Sequence, residues 1–396
     1  MRRLAAVAAR HWRATLLIWA LLVAVSVAAA PDFTEVATYD DNAFLPTGAD
    51  SVRGAELMRQ GWPDDNFTSS AVIALLRDDG PLTQADRAVA GRLVEWLPSD
   101  AAPTGLGRTV THLDEPDLED SLTSKDGHAM LLVAGMEVPP FSPMGHEVVT
   151  ELRRHIAETD RPEGLDVMVT GAAGIALDEN AAIEASVKRT ELLTVLLVVV
   201  LVLWVLRSPV AALVPLVTVA GAYAVALAVV GTLARLGMDV SYLFQMFAIV
   251  IVFGAGTDYA LLILARYQEE LADSPDAAEA EGRARRLAGT MVVLAGVLAS
   301  TAASTMVGFS AQVVAQFGLF RTMGPALAIA VLITLLAGLT LTPAIMRLCG
   351  RWLFWPGGLV TGKGMRAGHG PGGGDPVWEI VPADEGPADG ARGDAR

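Results

Sequence analysis

The chain has 396 residues, of which 53% are hydrophobic and only 18% charged, and its mean hydropathy is +0.44. That is too apolar for an ordinary water-soluble enzyme and places the chain in a membrane. The formal charge of −15 averages over segments that sit in different solvents, and without a dense basic patch it argues against nucleic acid as a partner. One cysteine, Cys349, excludes a disulfide framework. The six histidines, at positions 11, 112, 128, 146, 155 and 369, are too scattered for metal-ligand spacing, so no metal or cofactor is expected.

A helix needs about 20 apolar residues to cross a hydrocarbon core of roughly 30 Å, because lipid satisfies no exposed backbone group. Six stretches meet or approach that length: residues 14–30, 192–206, 211–233, 243–265, 290–309 and 324–346. The second is short, but residues 177–191 before it contain neither Gly nor Pro, which predicts one long helix feeding into the membrane. The first has a rival reading as a cleavable signal peptide, with a basic start, an apolar run and Ala28-Ala29-Ala30 before Pro31. Basic residues flanking spans concentrate on the cytoplasmic side. Arg2, Arg3, Arg10, Arg13, Arg207, Arg266, Arg283, Arg285, Arg286, Arg347 and Arg351 all fall there if both termini are cytoplasmic, whereas Arg235 and Arg321 fall outside. The chain is then a multi-pass protein of the cytoplasmic membrane.

That orientation puts residues 31–187 outside, where 29 acidic residues face 10 basic ones. Short apolar runs at 70–76, 129–134 and 165–169, with a weaker one at 108–113, read as strands, and 83–97 and 143–159 carry apolar residues at helical spacing. Strand, helix, two strands, helix, strand is a ferredoxin-like order. The acidic stretch 114–127 reads as a solvated loop. Residues 276–287 read as an amphipathic segment along the inner surface. After Cys349, Gly and Pro and then acid and Ala dominate, so 350–396 reads as a disordered cytoplasmic tail, with Trp352, Phe354 and Trp355 anchoring the last span at the headgroups. The expected organisation is a first span within 1–30, an α+β domain over 31–187, a helical bundle over 188–349 and the tail.

A single carboxylate stands within the predicted spans: Asp258, in Phe253-Gly254-Ala255-Gly256-Thr257-Asp258-Tyr259. An Asp at the centre of a spanning helix costs about 2.5–3.5 kcal/mol, so it marks a proton or ion site that needs a partner. Apolar surroundings disfavour its charged form, which equips it to load and release a proton. Tyr259 lies about 100° further round the helix and carries a hydroxyl. Gly254 and Gly256 remove side-chain bulk so that another helix can approach. Ser300 with Ser304 and Thr301 with Thr305 are i,i+4 pairs in the fifth span and candidate relay partners. Against the relay stands the simpler reading that these hydroxyls bond their own preceding carbonyls. Against the proton site stands an acid snorkelling to the interface.

These residues carry a resemblance. GAGTDYALLILARYQEEL (254–271) is similar to the fourth-span signature of the mycobacterial membrane protein large (MMPL) family in the resistance-nodulation-division superfamily. FLPTGADSVRGAELM (44–58), VTGAAGIALDENAAIEASVKRTELL (169–193), RSPVAALVPL (207–216) and FRTMGPALAIAVLITLLAGLTLTPAIM (320–346) resemble other family blocks in the same order. The resemblance spans about residues 1–350. It implies an exporter or flippase of lipids or other hydrophobic compounds, driven by the proton gradient rather than a cofactor, with a porter-type outer domain and proton relay through the Asp-Tyr pair, here Asp258 and Tyr259. Family members carry two such halves in one chain. A single half implies a homodimer or a second half-transporter as partner, with Asp258 facing Tyr259 of the other half. The competing readings are a non-transporting interaction subunit and a remnant of a two-half transporter. No enzymatic motif supports catalysis.

Overall fold

The computed structural model describes residues 7–39, 44–46, 48–62, 67–206, 208–272, 280–355, 367–368 and 377–378. Arg2, Arg3, Arg207, residues 276–279 and nearly all of the predicted tail lie outside them. The protein is mostly helical, with a small antiparallel sheet. Its main elements are α1 (Trp12–Ala29), α2 (Asp50–Gly61), β1 (Ser69–Arg77), α3 (Gln84–Trp96), β2 (Leu106–Val110), β3 (Ala129–Met136), α4 (Pro143–Glu158), β4 (Leu165–Thr170), α5 (Gly171–Leu206), α6 (Pro209–Arg235), α7 (Phe244–Ala272), α8 (Ala280–Ala311) and α9 (Gly318–Cys349).

The sheet order is β2-β3-β1-β4. β1 pairs antiparallel with both neighbours, so Ala74 stands opposite Leu131 of β3 and Met168 of β4. Alternation puts Ala71, Ile73 and Leu75 of β1 on one face, with Leu132, Ala134 and Met136 of β3. There they meet Val89 and Leu93 of α3 and Val148, Leu152 and Ile156 of α4, forming one core under two helices. Both helices start at side-chain caps. Thr83 and Asp86 form a reciprocal capping box on α3, and Ser142 Oγ accepts from Gly145 N at 3.0 Å on α4. Asp86 also anchors a buried ion pair: Arg77 Nε and Nη2 donate to its two carboxylate oxygens at 2.8 and 3.0 Å. Those bonds hold the Asp86 carboxyl down at about 2.

No loop separates the sheet from the long helix α5. Gly171 turns β4 into α5 with φ +82°, and a β-carbon there would stand 2.9 Å from Val72 N, so only glycine fits. α5 runs unbroken for 36 residues and contains the predicted span 192–206, most of whose side chains lie outside the described ones. Arg153 of α4 clamps its second turn through Asp178, with Nη1 and Nη2 donating at 2.6 and 2.8 Å.

Among the described residues five helices are long and apolar enough to cross a membrane: α1, α6, α7, α8 and α9. α9 is the most enclosed. Trp19 of α1 donates Nε1–H to Thr340 Oγ1 of α9 at 2.9 Å, and Thr218 of α6 and Thr342 of α9 share a hydrogen bond at 3.2 Å. Ser208 caps α6 while its hydroxyl bridges the carbonyls of Leu353 and Trp355, at 2.7 and 2.8 Å. Arg235, at the end of α6, pairs with Glu35 at 3.8 Å.

Two expectations need correction. The described part of the predicted surface segment, 280–287, belongs to α8, because Leu287, Met291, Ala295, Leu298 and Ala302 form one continuous buried stripe. Phe354 is buried and packs against the Tyr267 ring at 6.2 Å, so of the three aromatics placed at the headgroups only Trp352 and Trp355 are exposed. Helix α2, which the sequence reading did not anticipate, buries none of its residues.

Asp86→Asn strands part of a buried guanidinium charge and should destabilise the α+β domain by about 3 kcal/mol. The unfolded carboxyl titrates near roughly 3.9 and the folded one about 2, so the pair's contribution is complete above about pH 4 and is lost as pH falls through 2. Acid titration of the full chain in detergent, followed by near-ultraviolet circular dichroism, should show that dependence in the parent and not in the variant.

Candidate functional site

Asp258 lies fourteen residues after Phe244 and fourteen before Ala272, at the middle of α7 and roughly 21 Å from either end. The helix has two unlike faces. Phe244, Ala248, Val252, Tyr259, Ile263 and Tyr267 are buried in the bundle. Phe247, Val250, Gly254, Asp258 and Leu262 recur every three or four residues and are exposed. Asp258 is the sole ionisable member of that five-residue stripe, and it makes no hydrogen bond or ion pair with any described residue.

Its neighbour points the other way. Tyr259 is 4% exposed and closes on α9, where a β-carbon at Gly338 would stand 3.3 Å from Tyr259 Cβ. The glycines also divide. A β-carbon at Gly256 would lie 2.7 Å from Val219 Cγ2 and 3.1 Å from Thr334 Cγ2, so Gly256 is where α7 meets α6 and α9 closely. At Gly254 nothing lies within 4 Å, and that position, one turn from Asp258, packs against no described helix.

The hydroxyls of α8 are not assembled with the acid. Ser300, Thr301 and Ser304 are exposed and Thr305 is half-buried. Ser300 donates to Val297 O at 2.8 Å, Thr301 to the same carbonyl at 3.1 Å and Thr305 to Thr301 O at 3.1 Å. These are bonds to their own helix, and none of the four hydroxyls bonds Asp258 or Tyr259. Three threonines of the neighbouring helices are instead buried: Thr334, against Gly256 of α7, and Thr218 and Thr342, bonded to each other between α6 and α9. The i,i+4 rule singled out α8, whereas the α9 segment Thr334-Leu335-Leu336-Ala337-Gly338-Leu339-Thr340-Leu341-Thr342, threonines spaced through an apolar, largely buried run, carried the signal, with a small residue opposite Tyr259. Among the described residues no group of three His, Cys, Asp or Glu side chains is placed to hold a metal ion.

Five long apolar helices, a carboxylate halfway along one of them and a small α+β domain joined directly to a further long helix define a multi-pass membrane protein. The chain belongs to the MMPL family, which it matches over residues 43–372. It is 33% identical over 370 residues to SCO5905 of Streptomyces coelicolor, named as a membrane protein, a stretch covering 92% of this chain and 41% of that one. It is 30% identical over 336 residues to "Probable transport protein MmpL10" of Mycobacterium leprae, covering 84% and 33% of the two chains. The figure is 28% over 341 residues for "Probable transport protein MmpL12" of Mycobacterium tuberculosis, covering 84% and 29%. The chain spans less than half the length of each of these relatives.

The two glycines should respond differently to an added methyl group. Gly256→Ala overpacks a tight contact and should cost about 1–3 kcal/mol, whereas Gly254→Ala should leave the isolated chain's stability unchanged. Thermal unfolding of both variants in detergent measures the contrast.

Proposed function

We propose that this chain forms one half of a proton-driven exporter of lipids or other hydrophobic compounds in the cytoplasmic membrane. Helix α5 supplies the sixth span, both termini are cytoplasmic, and the βαββαβ domain over 31–187 is a ferredoxin-like, porter-type unit outside. The observation that carries the reading is Asp258, unpaired at mid-helix on an open apolar stripe, with Tyr259 locked into the bundle behind it. A carboxylate facing lipid there would cost about 2.5–3.5 kcal/mol. A second half covering the stripe removes that cost and encloses the acid where its proton can be taken up from one side and released to the other.

The partner half is a second copy of this chain or a further polypeptide of the same kind, and its relatives' names support transport as the activity. In the dimer, Asp258 of one half meets a polar group of the other, and its protonation changes how the two α7 helices pack. Of the α8 hydroxyls, Ser300, Thr301 and Thr305 join such a relay only if that change frees them from the carbonyls of their own helix, and Ser304, exposed on the same helix, only if it brings that face to the acid.

In proteoliposomes carrying a pH gradient, Asp258→Asn should abolish gradient-dependent movement of a fluorescent phospholipid while leaving membrane insertion intact. Tyr259→Phe should lower it roughly fivefold, the equivalent of one hydrogen bond of about 1 kcal/mol. Full transport by the Asn variant would remove the mechanism. With Cys349 replaced, Val250→Cys should crosslink between two differently tagged copies and Val252→Cys, on the buried face, should not.

A further inference from the structure

A cavity of about 360 Å³ opens beside β4, the edge strand of the sheet, between the last turns of α4 and the second turn of α5. Its size is at the lower end of the roughly 300–1,000 Å³ of small-molecule sites. Ile156, Ala157, Val167 and Met168 give it an apolar lining, and the guanidinium groups of Arg153 and Arg161 border it. Arg153 spends three of its five N–H donors on Asp178 and on Val169 O, the latter at 3.1 Å, which leaves two. Arg161 is exposed and makes no hydrogen bond or ion pair with any described residue.

This placement is unusual for the domain. Residues 31–187 hold 29 acidic and 10 basic side chains, so most of the surface repels anions, yet two of the ten border one apolar hollow. Acidic residues do flank Arg161 in sequence, at Glu158, Asp160 and Glu163, but the one carboxylate lining the cavity is Asp178. Guanidinium forks suit phosphate oxygens, and a phosphate monoester carries about −1.5 to −2 charges on three acceptor oxygens, enough for both arginines.

We propose that this cavity binds the phosphate group of an amphiphile. Arg161 and the spare donors of Arg153 hold the phosphate oxygens, and Ile156, Ala157, Val167 and Met168 cover the methylenes next to it. The same geometry makes Asp178 a competitor. It holds Arg153 through two short bonds, and the guanidinium in turn keeps the Asp178 carboxyl below the usual carboxylate range. A bound phosphate draws Arg153 away from Asp178 and so loosens the clamp between α4 and α5. Occupancy of the outer domain is thereby felt at the top of a helix that runs on toward the membrane.

Calorimetric titration of the full chain in uncharged maltoside micelles, with octyl phosphate, octyl glucoside and inorganic phosphate as probes, tests the site. Octyl phosphate should bind saturably at one per chain, inorganic phosphate more weakly, and octyl glucoside not at all. Arg161→Gln should weaken octyl phosphate roughly tenfold, the loss of a charge-assisted contact. Asp178→Asn should tighten it severalfold by releasing Arg153. Arg161 is exposed and unpaired, so its variant keeps the test decisive even if loss of the clamp unfolds the domain. Binding that is unchanged by Arg161→Gln, or that is no different from uptake by empty micelles, would overturn the site. Inorganic phosphate binding as tightly as octyl phosphate would overturn its assignment to an amphiphile.

Discussion

Hydrocarbon solvates neither a backbone amide nor a charge, and the packing of the helical bundle follows from that. Several of its polar side chains are matched to partners within the protein. Trp19 meets Thr340, Thr218 meets Thr342, Thr334 bonds Ala330 O at 2.8 Å and Thr232 bonds Ala228 O at 2.7 Å. Ser208, where α6 begins, takes up carbonyls that follow α9. Asp258 stands outside this pattern, with a charge-bearing group at mid-helix and no partner among the described residues. A group of that kind is tolerated where something beyond these helices completes its surroundings.

The α+β domain is tied to the helical bundle at several points, so a displacement in one reaches the other. Gly171 leaves no slack between β4 and α5, and Arg153 grips α5 about two turns later. On the opposite flank Thr38 N donates to Val240 O at 2.8 Å, joining the chain after α1 to the segment between α6 and α7. The Tyr242 ring lies between those of Tyr39 and Phe141, at 5.4 and 5.7 Å, which brings the loop before α4 into the same junction. Phe44 packs on the first residue of α9, where a β-carbon at Gly318 would come within 2.8 Å of its Cα. Short connections and packed rings transmit displacement better than loops do, so a shift of α4 relative to the sheet has a direct route to α5.

Much of this was legible beforehand because it rests on patterns of period and length. Spanning helices announce themselves by about 20 apolar residues, and α6, α7 and α9 appeared close to where hydropathy put them. The strand and helix order of the α+β domain followed from apolar alternation and helical spacing, although β2 begins two residues earlier than its weak pattern indicated. Helix α2 escaped notice because it buries nothing, so its sequence shows no core-facing stripe. The continuity of α8 escaped because charge at 281–286 masks the buried register of Leu287 and Met291.

The sequence by itself determined that Asp258 is an isolated acid in an apolar helix with a tyrosine beside it, since composition and spacing are local facts. Only the tertiary structure decided which way each residue faces. Tyr259 goes into the bundle against Gly338, Gly256 meets Val219 while Gly254 meets nothing, and Ser300, Thr301 and Thr305 of α8 turn to carbonyls of their own helix. It also brought Arg153 and Asp178, 25 residues apart, into one pair beside Arg161 and the edge of β4. The physical reason is that a helix offers every direction around its axis. Which direction is inside depends on neighbours far away in the chain, and no local pattern encodes them.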